Sequence, residues 1–236
     1  MKFFWQDQDL SPVDIVDRAI EGRRSIRAFL PTPLPAGELE RILEVAARAP
    51  SGGNMQPWRV YVLEGAARQR LVNAVCYAYD FAPQERKSEY EYYPPEFFEP
   101  YAARRRKLGW DLYGLLGIER GDKGKMKAQQ RRNFEFFGAP TGLIFTIERR
   151  FTQGGWLDYG GFLQNIMIAA RVRGIDSCAQ ASWMEYPGVV ERELEIPHHE
   201  MVVCGMALGY ADPDAVENKL DSERIAVSDF VIRPEK

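Results

Sequence analysis

Apolar and polar positions along the chain alternate between helical spacing and strand spacing, and that alternation sets the expected elements. Ser11-Pro12-Val13-Asp14 predicts the start of a first helix, with Ser11 as cap, Pro12 at the first helical position and Asp14 at the positive end. It is expected to run to about Gly22. A second helix is predicted from Glu38 to Ala49, where Leu39, Ile42, Leu43 and Ala46 form a buried stripe, and Pro50-Ser51-Gly52-Gly53 stops it. Arg59–Leu63 reads as a strand, followed by a helix from about Ala66 to Tyr79. Helical patterns return over Ala102–Leu116 and Asp122–Phe137, and Gly142–Ile147 reads as a buried strand. Asp158–Arg173 is an unusually apolar helix, with Phe162, Ile166, Ala169 and Ala170 as core candidates and Gly174 as its left-handed cap. A short helix over Pro187–Leu194, a strand over Met201–Leu208 and a turn at Gly209–Pro213 complete the pattern. The tail beyond has no helical period.

Few strands and many helices make this an α+β layered fold, and no repeat or low-complexity linker divides it, so residues 1–236 are expected to form a single domain. One stretch breaks the pattern. Between Asp80 and Tyr101 there are five glutamates, four prolines and a run of tyrosines and phenylalanines without a period. A loop of that length inside a compact domain is usually functional, and its prolines and aromatics suit a lid or a dimer contact. The insert is taken to span about residues 80–135.

Composition narrows the class. With 236 residues and 45% of them hydrophobic, the chain can bury a sizeable core. Lys and Arg (31) nearly balance Asp and Glu (34), a net charge of -3, so any anion site must be local. Cys76, Cys178 and Cys204 are far apart and odd in number, which argues for reduced thiols rather than a disulfide framework. MKFFWQDQDLSPVD becomes acidic within a few residues and lacks the apolar core of a secretory signal. No stretch approaches the length of a membrane span. A cytoplasmic protein with no membrane contact is the expectation.

Two constellations carry candidate chemistry. Arg23, Arg24, Ser25 and Arg27 place three guanidiniums and a hydroxyl within five residues, a donor set suited to a phosphate. Taken alone, the run reads as a solvated basic face rather than a ligand site. The second is Ala49-Pro50-Ser51-Gly52-Gly53-Asn54-Met55-Gln56-Pro57-Trp58, in which glycines admit a flat ligand and Ser51 and Asn54 supply hydrogen bonds; a plain helix-to-strand turn is the competing reading, with Trp58 as a core residue. His198 and His199 read as loop residues, since neither has partners at metal-binding or hydrolase spacing. No G-x-G-x-x-G follows a strand, and no Walker-type loop is present. The basic run Arg104-Arg105-Arg106-Lys107 lies beside Tyr101 and Trp110; flanking acids favour a solvated helix face over a nucleic-acid site.

RRSIRAF followed by APSGGNMQPW resembles the nitroreductase superfamily of FMN flavoproteins, and the resemblance continues in order through Asn133–Glu148, Trp156–Trp183 and Val202–Pro213. It implies a central mixed, mainly antiparallel sheet surrounded by helices, in a homodimer whose C-terminal arms are exchanged. It further implies that Arg23, Arg24, Ser25 and Arg27 face the FMN phosphate and ribityl chain, and that Arg224 completes the phosphate site. By the same resemblance Pro50, Ser51 and Asn54 line the flavin from the partner subunit. Ala179, Gln180 and Ala181 lay backbone against the isoalloxazine, although the family often has Pro or Thr where this chain has Ala179. Asn133 is a weaker match to a polar residue near the flavin. The activity so implied is transfer of hydride from NADH or NADPH to flavin N5, followed by reduction of a second substrate in the vacated place, with no catalytic side chain required. The insert resembles the subgroup that reduces nitrobenzoates and similar small nitroaromatics. Dehalogenation, flavin or quinone reduction and dehydrogenation on the same scaffold are the alternatives, and a nucleic-acid-binding module using Arg104–Lys107 is the alternative of another class.

Overall fold

A computed structural model describes residues 10–234. The first nine residues, on which the reading of the N-terminus chiefly rests, lie outside the described residues.

Four strands form one sheet in the order β1-β2-β4-β3: β1 (Arg59–Leu63), β2 (Thr141–Glu148), β3 (Asp176–Gln180) and β4 (Glu200–Gly209). Every ladder is antiparallel, and the one parallel pairing among the described residues is an isolated bridge between Ser25 and Ser177. The strands β2 and β4 are buried along nearly their whole length, as central strands covered on both faces must be. One face carries Ile144, Val202 and Ala207 against α3 (Gly65–Phe81) and α7 (Pro187–Leu194). The other carries Leu143, Phe145, Met206 and Leu208 against α2 (Glu38–Ala46) and α6 (Gln153–Val172).

The apolar helix expected at the centre is α6, where Phe162, Ile166, Ala169 and Ala170 are buried and Gly174 beyond it is left-handed at φ 70°. It begins earlier than its hydrophobic pattern suggests, at Gln153, and Trp156 in the added turn packs both on Tyr90 of the insert and on the core beneath. Tyr159 straps it down, its hydroxyl donating to Arg59 O at 2.9 Å and Thr146 O at 3.0 Å. Trp58 stacks on Phe162 with ring centres 4.7 Å apart, as a core-facing residue should.

Three expectations need correction. Helix α2 ends at Ala46 rather than Ala49. The helix expected over Asp122–Phe137 is α5 only from Lys123 to Arg131; a 3-10 segment, Arg132–Gly138, replaces the rest, with Phe136 and Phe137 both left-handed at φ 52°. That conformation is costly for aromatic residues. Tertiary packing imposes it: the Phe136 ring stacks on Trp183 at 4.4 Å and lies over Gly142, where any Cβ would come within 2.5 Å of it. Gly205 plays the same part beneath Trp183. Finally, β3 has no counterpart among the expected strands, because Asp176-Ser177-Cys178-Ala179-Gln180 lacks the β-branched residues that mark one.

Helix α3 runs through Asp80 to Phe81, so the expected insert begins with its last turn; residues 82–100 are irregular apart from one short 3-10 turn, and α4 (Tyr101–Leu115) follows. A bulge in the β2–β4 ladder fixes where this insert docks: Phe145 pairs with Cys204 and Thr146 with Val202, leaving Val203 unpaired. Bulges re-aim backbone groups. Here the Val203 carbonyl accepts a hydrogen bond from the Tyr90 hydroxyl.

Candidate functional site

Helix α1 (Pro12–Glu21) closes on Gly22, whose N–H donates to Arg18 O at 2.9 Å, and releases the arginine run into an extended path. Ile26 N donates to Ser177 O at 3.1 Å, Phe29 N to Phe137 O at 3.3 Å and Leu30 N to Tyr210 O at 2.8 Å. Ile26, Ala28 and Phe29 are buried, which turns Arg27 outward between them. Thus the run is pinned by the apolar residues interleaved with it.

A cavity of about 1000 Å³ opens over this segment, and Arg23, Arg24, Ser25, Arg27, Ser222 and Arg224 all line it. No carboxylate lies within ion-pair distance of Arg23, Arg24, Arg27 or Arg224 among the described residues. Burial, and secondarily the positive charge of Arg224, holds the Arg23 guanidinium below its ordinary pKa. Unpaired guanidiniums that repel one another around a concavity favour an anion. Arg224 is folded on its own loop, donating to Ser222 O at 2.8 Å and Ser222 Oγ at 2.7 Å. The insert and α4 complete the lining with Tyr93, Phe97, Phe98, Tyr101, Arg104 and Arg105.

Asn218 joins the two ends of the chain here and was invisible in the sequence. Its amide oxygen accepts from Arg27 N at 2.8 Å and Ala28 N at 3.2 Å, and its amide nitrogen donates to Ala28 O at 2.8 Å and Asp212 O at 3.0 Å. One side chain thus imitates a strand partner. The neighbouring Glu217 is buried and pairs with Arg132.

Ala179, Gln180 and Ala181 line a second cavity of about 720 Å³, with Tyr90, Tyr92 and Trp156 from the insert and α6. Strand β3 connects it to the first: Ser177 bonds the arginine segment, Cys178 beneath it feels Ser25 and Arg27, and Ala179 emerges exposed on the far side. Burial pushes the Cys178 thiol up, partly offset by Arg27, Ser25 and Arg23. Gln180 is only 2% exposed; its Nε2 donates to Asn133 O at 2.6 Å, and its Oε1 has no protein partner among the described residues. Tyr90 packs on Trp156 with ring centres 4.6 Å apart, and burial raises its phenol pKa.

Of the residues singled out in the sequence, the arginine run, Ser25 and Arg224 share one cavity, and Ala179–Ala181 line the adjoining one. Asn133 supplies its carbonyl to Gln180, while its side chain turns to Gln130 O at 2.9 Å and lines neither cavity. Pro50, Ser51 and Asn54 are not brought to either cavity in this chain. Their loop is a tight turn in which Gln56 N donates to Ser51 Oγ, Gly52 N donates to Asp158 Oδ2, and Asn54 is left-handed and exposed. His198 and His199 are exposed in the turn before β4.

Residues 20–210 match the model of the nitroreductase family. The chain is 42% identical to chloronitrobenzene nitroreductase of Comamonas testosteroni over 91% of this chain and 95% of that one. It is 39% identical to 4-nitrobenzoate reductase of Nocardioides sp. (strain LMS-CY) over 86% and 83% of the respective chains. Its fold superposes with a TM-score of 0.91 on the crystal structure of the FMN and NADPH-dependent nitroreductase NfnB from Sphigopyxis sp. strain HMH, 34% identical, covering 96% of this chain and all of that one. The family model covers most of the chain and the relatives and the fold agree with it: the chain belongs to the nitroreductase family.

Proposed function

We propose that this protein is an FMN-dependent oxidoreductase that uses NADH or NADPH to reduce small nitroaromatic compounds such as nitrobenzoates. The observation that carries the reading is the set of four arginines without a carboxylate partner among the described residues around one cavity, with Ala179 and Gln180 of β3, the strand bridged to their segment through Ser25 and Ser177, lining a second, aromatic-walled cavity. Relatives that reduce chloronitrobenzene and 4-nitrobenzoate, and a structural neighbour that depends on FMN and NADPH, support it.

The residues present fit FMN. Arg23, Arg24, Ser25, Arg27 and Arg224 would hold its phosphate, and the backbone of Ala179–Ala181 would carry its ring. When bound, FMN supplies hydride acceptance and donation at N5. The protein's work is then placement and exclusion of water. Tyr90, Tyr92 and Trp156 wall the smaller cavity with apolar surface that suits a flat ring, and each of two substrates would occupy that space in turn. The unpartnered Gln180 Oε1 offers an acceptor beside the ring site. Residues 80–135 act as an insert on a single domain, with the stretch before α4 as the lid.

Pro50, Ser51 and Asn54 reach a flavin only if they belong to a partner subunit, which makes the working unit a homodimer. Exposed apolar residues on α1 (Val13, Val16 and Ile20) and on the tail (Ile225, Phe230 and Ile232) give a partner surface of the needed kind. Three free, buried thiols suit a reducing, cytoplasmic compartment. The visible spectrum of the purified protein, before and after NADPH and then 4-nitrobenzoate, tests the reading. Flavin absorbance that bleaches and recovers is expected. A protein that stays colourless after incubation with FMN overturns it, and a monomer in sedimentation that retains full flavin affinity overturns the dimer.

A further inference from the structure

In the basic run of α4, position by position, the charges are not equivalent. Arg106 pairs with Glu99 at 2.7 Å, and Lys107 holds both Asp111 at 2.7 Å and Glu223 at 3.1 Å. Arg104 and Arg105 have no carboxylate within ion-pair distance among the described residues. Instead their guanidiniums lie over rings, Arg104 at 5.5 Å from the Tyr101 centroid and Arg105 at 4.4 Å from that of Phe97. Stacking uses the face of a guanidinium and leaves its N–H edge free. Both line the larger cavity together with the arginines assigned to the flavin phosphate, but from a different element, α4.

Charge in that cavity exceeds what one phosphate neutralises. Seven cationic side chains line it against two carboxylates, and Lys107 occupies both of those. A phosphate monoester carries about two negative charges at neutral pH. The insert also runs from one cavity to the other: Tyr90 and Tyr92 wall the smaller, Tyr93 and Phe97 the larger, and the rings of Tyr92 and Tyr93 meet edge to face at 4.7 Å. A molecule with a flat ring in the smaller cavity and a phosphate beside α4 would lie along this aromatic run. NADPH has both groups, with a phosphate monoester on its adenosine ribose that NADH lacks.

We propose that Arg104 and Arg105 form a second anion site that takes the 2′-phosphate of NADPH and makes NADPH the preferred reductant. The proposal rests on the oxidoreductase reading above. The carboxylate of a nitrobenzoate is the other anion of matching chemistry, and the test separates the two.

Calorimetric titration of the flavin-loaded protein with adenosine 2′,5′-bisphosphate and with 5′-AMP measures the 2′-phosphate contribution without turnover. The bisphosphate is expected to bind about tenfold or more tightly, the range for a charged hydrogen bond. Arg104→Gln and Arg105→Gln should each shrink that ratio at unchanged flavin content, and the double variant should bring it to about one. Arg106→Gln, which removes a charge from the same helix outside the site, should leave the ratio intact. Equal affinity of the two nucleotides for the wild-type protein overturns the proposal, as does an equal loss from all three single variants. If instead the variants raise the KM for 4-nitrobenzoate alone and not that for nitrobenzene, the site belongs to the substrate carboxylate and the phosphate assignment fails. A wild-type protein that binds no flavin refutes the parent reading, and its spectrum reveals this before any nucleotide is added.

Discussion

Replacing Asn218 by Ala tests how the arginine segment is held. The substitution deletes four hydrogen bonds made by one amide, two of them to the backbone N–H groups of Arg27 and Ala28. Each is worth about 1 kcal/mol net, and water recovers part of the loss because Arg27 is only half-buried. A destabilisation of about 2–3 kcal/mol follows. The effect on ligand binding is distinct from that on stability, since the same amide sets the register of Arg27 and anchors the chain six residues before Arg224. FMN affinity should fall about tenfold, equivalent to about 1.4 kcal/mol. Asn218→Asp separates the contributions: it keeps acceptors for the two N–H groups, loses both donors and adds a negative charge beside the proposed phosphate site. It should therefore be milder than Ala in stability and at least as severe in flavin affinity. Urea unfolding followed by circular dichroism gives the first quantity, and flavin fluorescence titration the second. Stability within about 0.5 kcal/mol of wild type together with unchanged affinity in Asn218→Ala would refute the reasoning.

Arg27→Ala should weaken FMN binding by about 1.5–3 kcal/mol, the value of a charged hydrogen bond, and equilibrium dialysis reads it directly. Wild-type affinity would remove the phosphate role. Gly205→Ala drives a methyl group into the Trp183 indole; a loss of about 1–3 kcal/mol in thermal or urea unfolding is expected, with a blue or red shift of the Trp183 emission. Tyr61 is raised from 10.0 to about 12 by burial and by its hydrogen bond to Glu200, so the folded state retains the proton longer than the unfolded chain. Its contribution to stability is complete below pH 10 and is lost as pH rises toward about 12. Unfolding curves across that window should be flatter for Tyr61→Phe than for wild type, and an unchanged slope would contradict the assignment.

Much of the fold was legible because its helices carry clean stripes and its central strands are uniformly apolar. Leu39, Ile42 and Ala46 on α2, and Phe162, Ile166 and Ala170 on α6, occupy the core as their spacing requires. Elements that failed were those whose conformation is imposed from outside. Phe136 and Phe137 leave the helical path because Trp183 and Gly142 create a slot for a ring, information separated from them in sequence and absent from local propensity. Strand β3 is built from small and polar residues because Arg23–Arg27 cross one side of it and a cavity opens on the other. The candidate site divides in the same way. Arginines and glycines announce themselves by type, whereas Asn218 and the buried amide of Gln180 act through geometry that no spacing rule encodes. Ser51 and Asn54 line neither cavity of the single chain, so their type and spacing alone did not place them.

The Asn218 clamp also bears on when the protein becomes competent. Its bonds to Arg27 and Ala28 span 191 and 190 residues, among the longest sequence separations a chain of this length permits. Chains emerge from the ribosome N-terminus first, and contacts of high sequence separation are the last to be rewarded during folding. Arg27 and Ala28 therefore wait through nearly the whole of synthesis for this last clamp on their backbone, and through a few residues more for Arg224. Cofactor capture becomes a post-translational event, and a chain truncated before residue 218 would build most of the sheet yet never retain its colour.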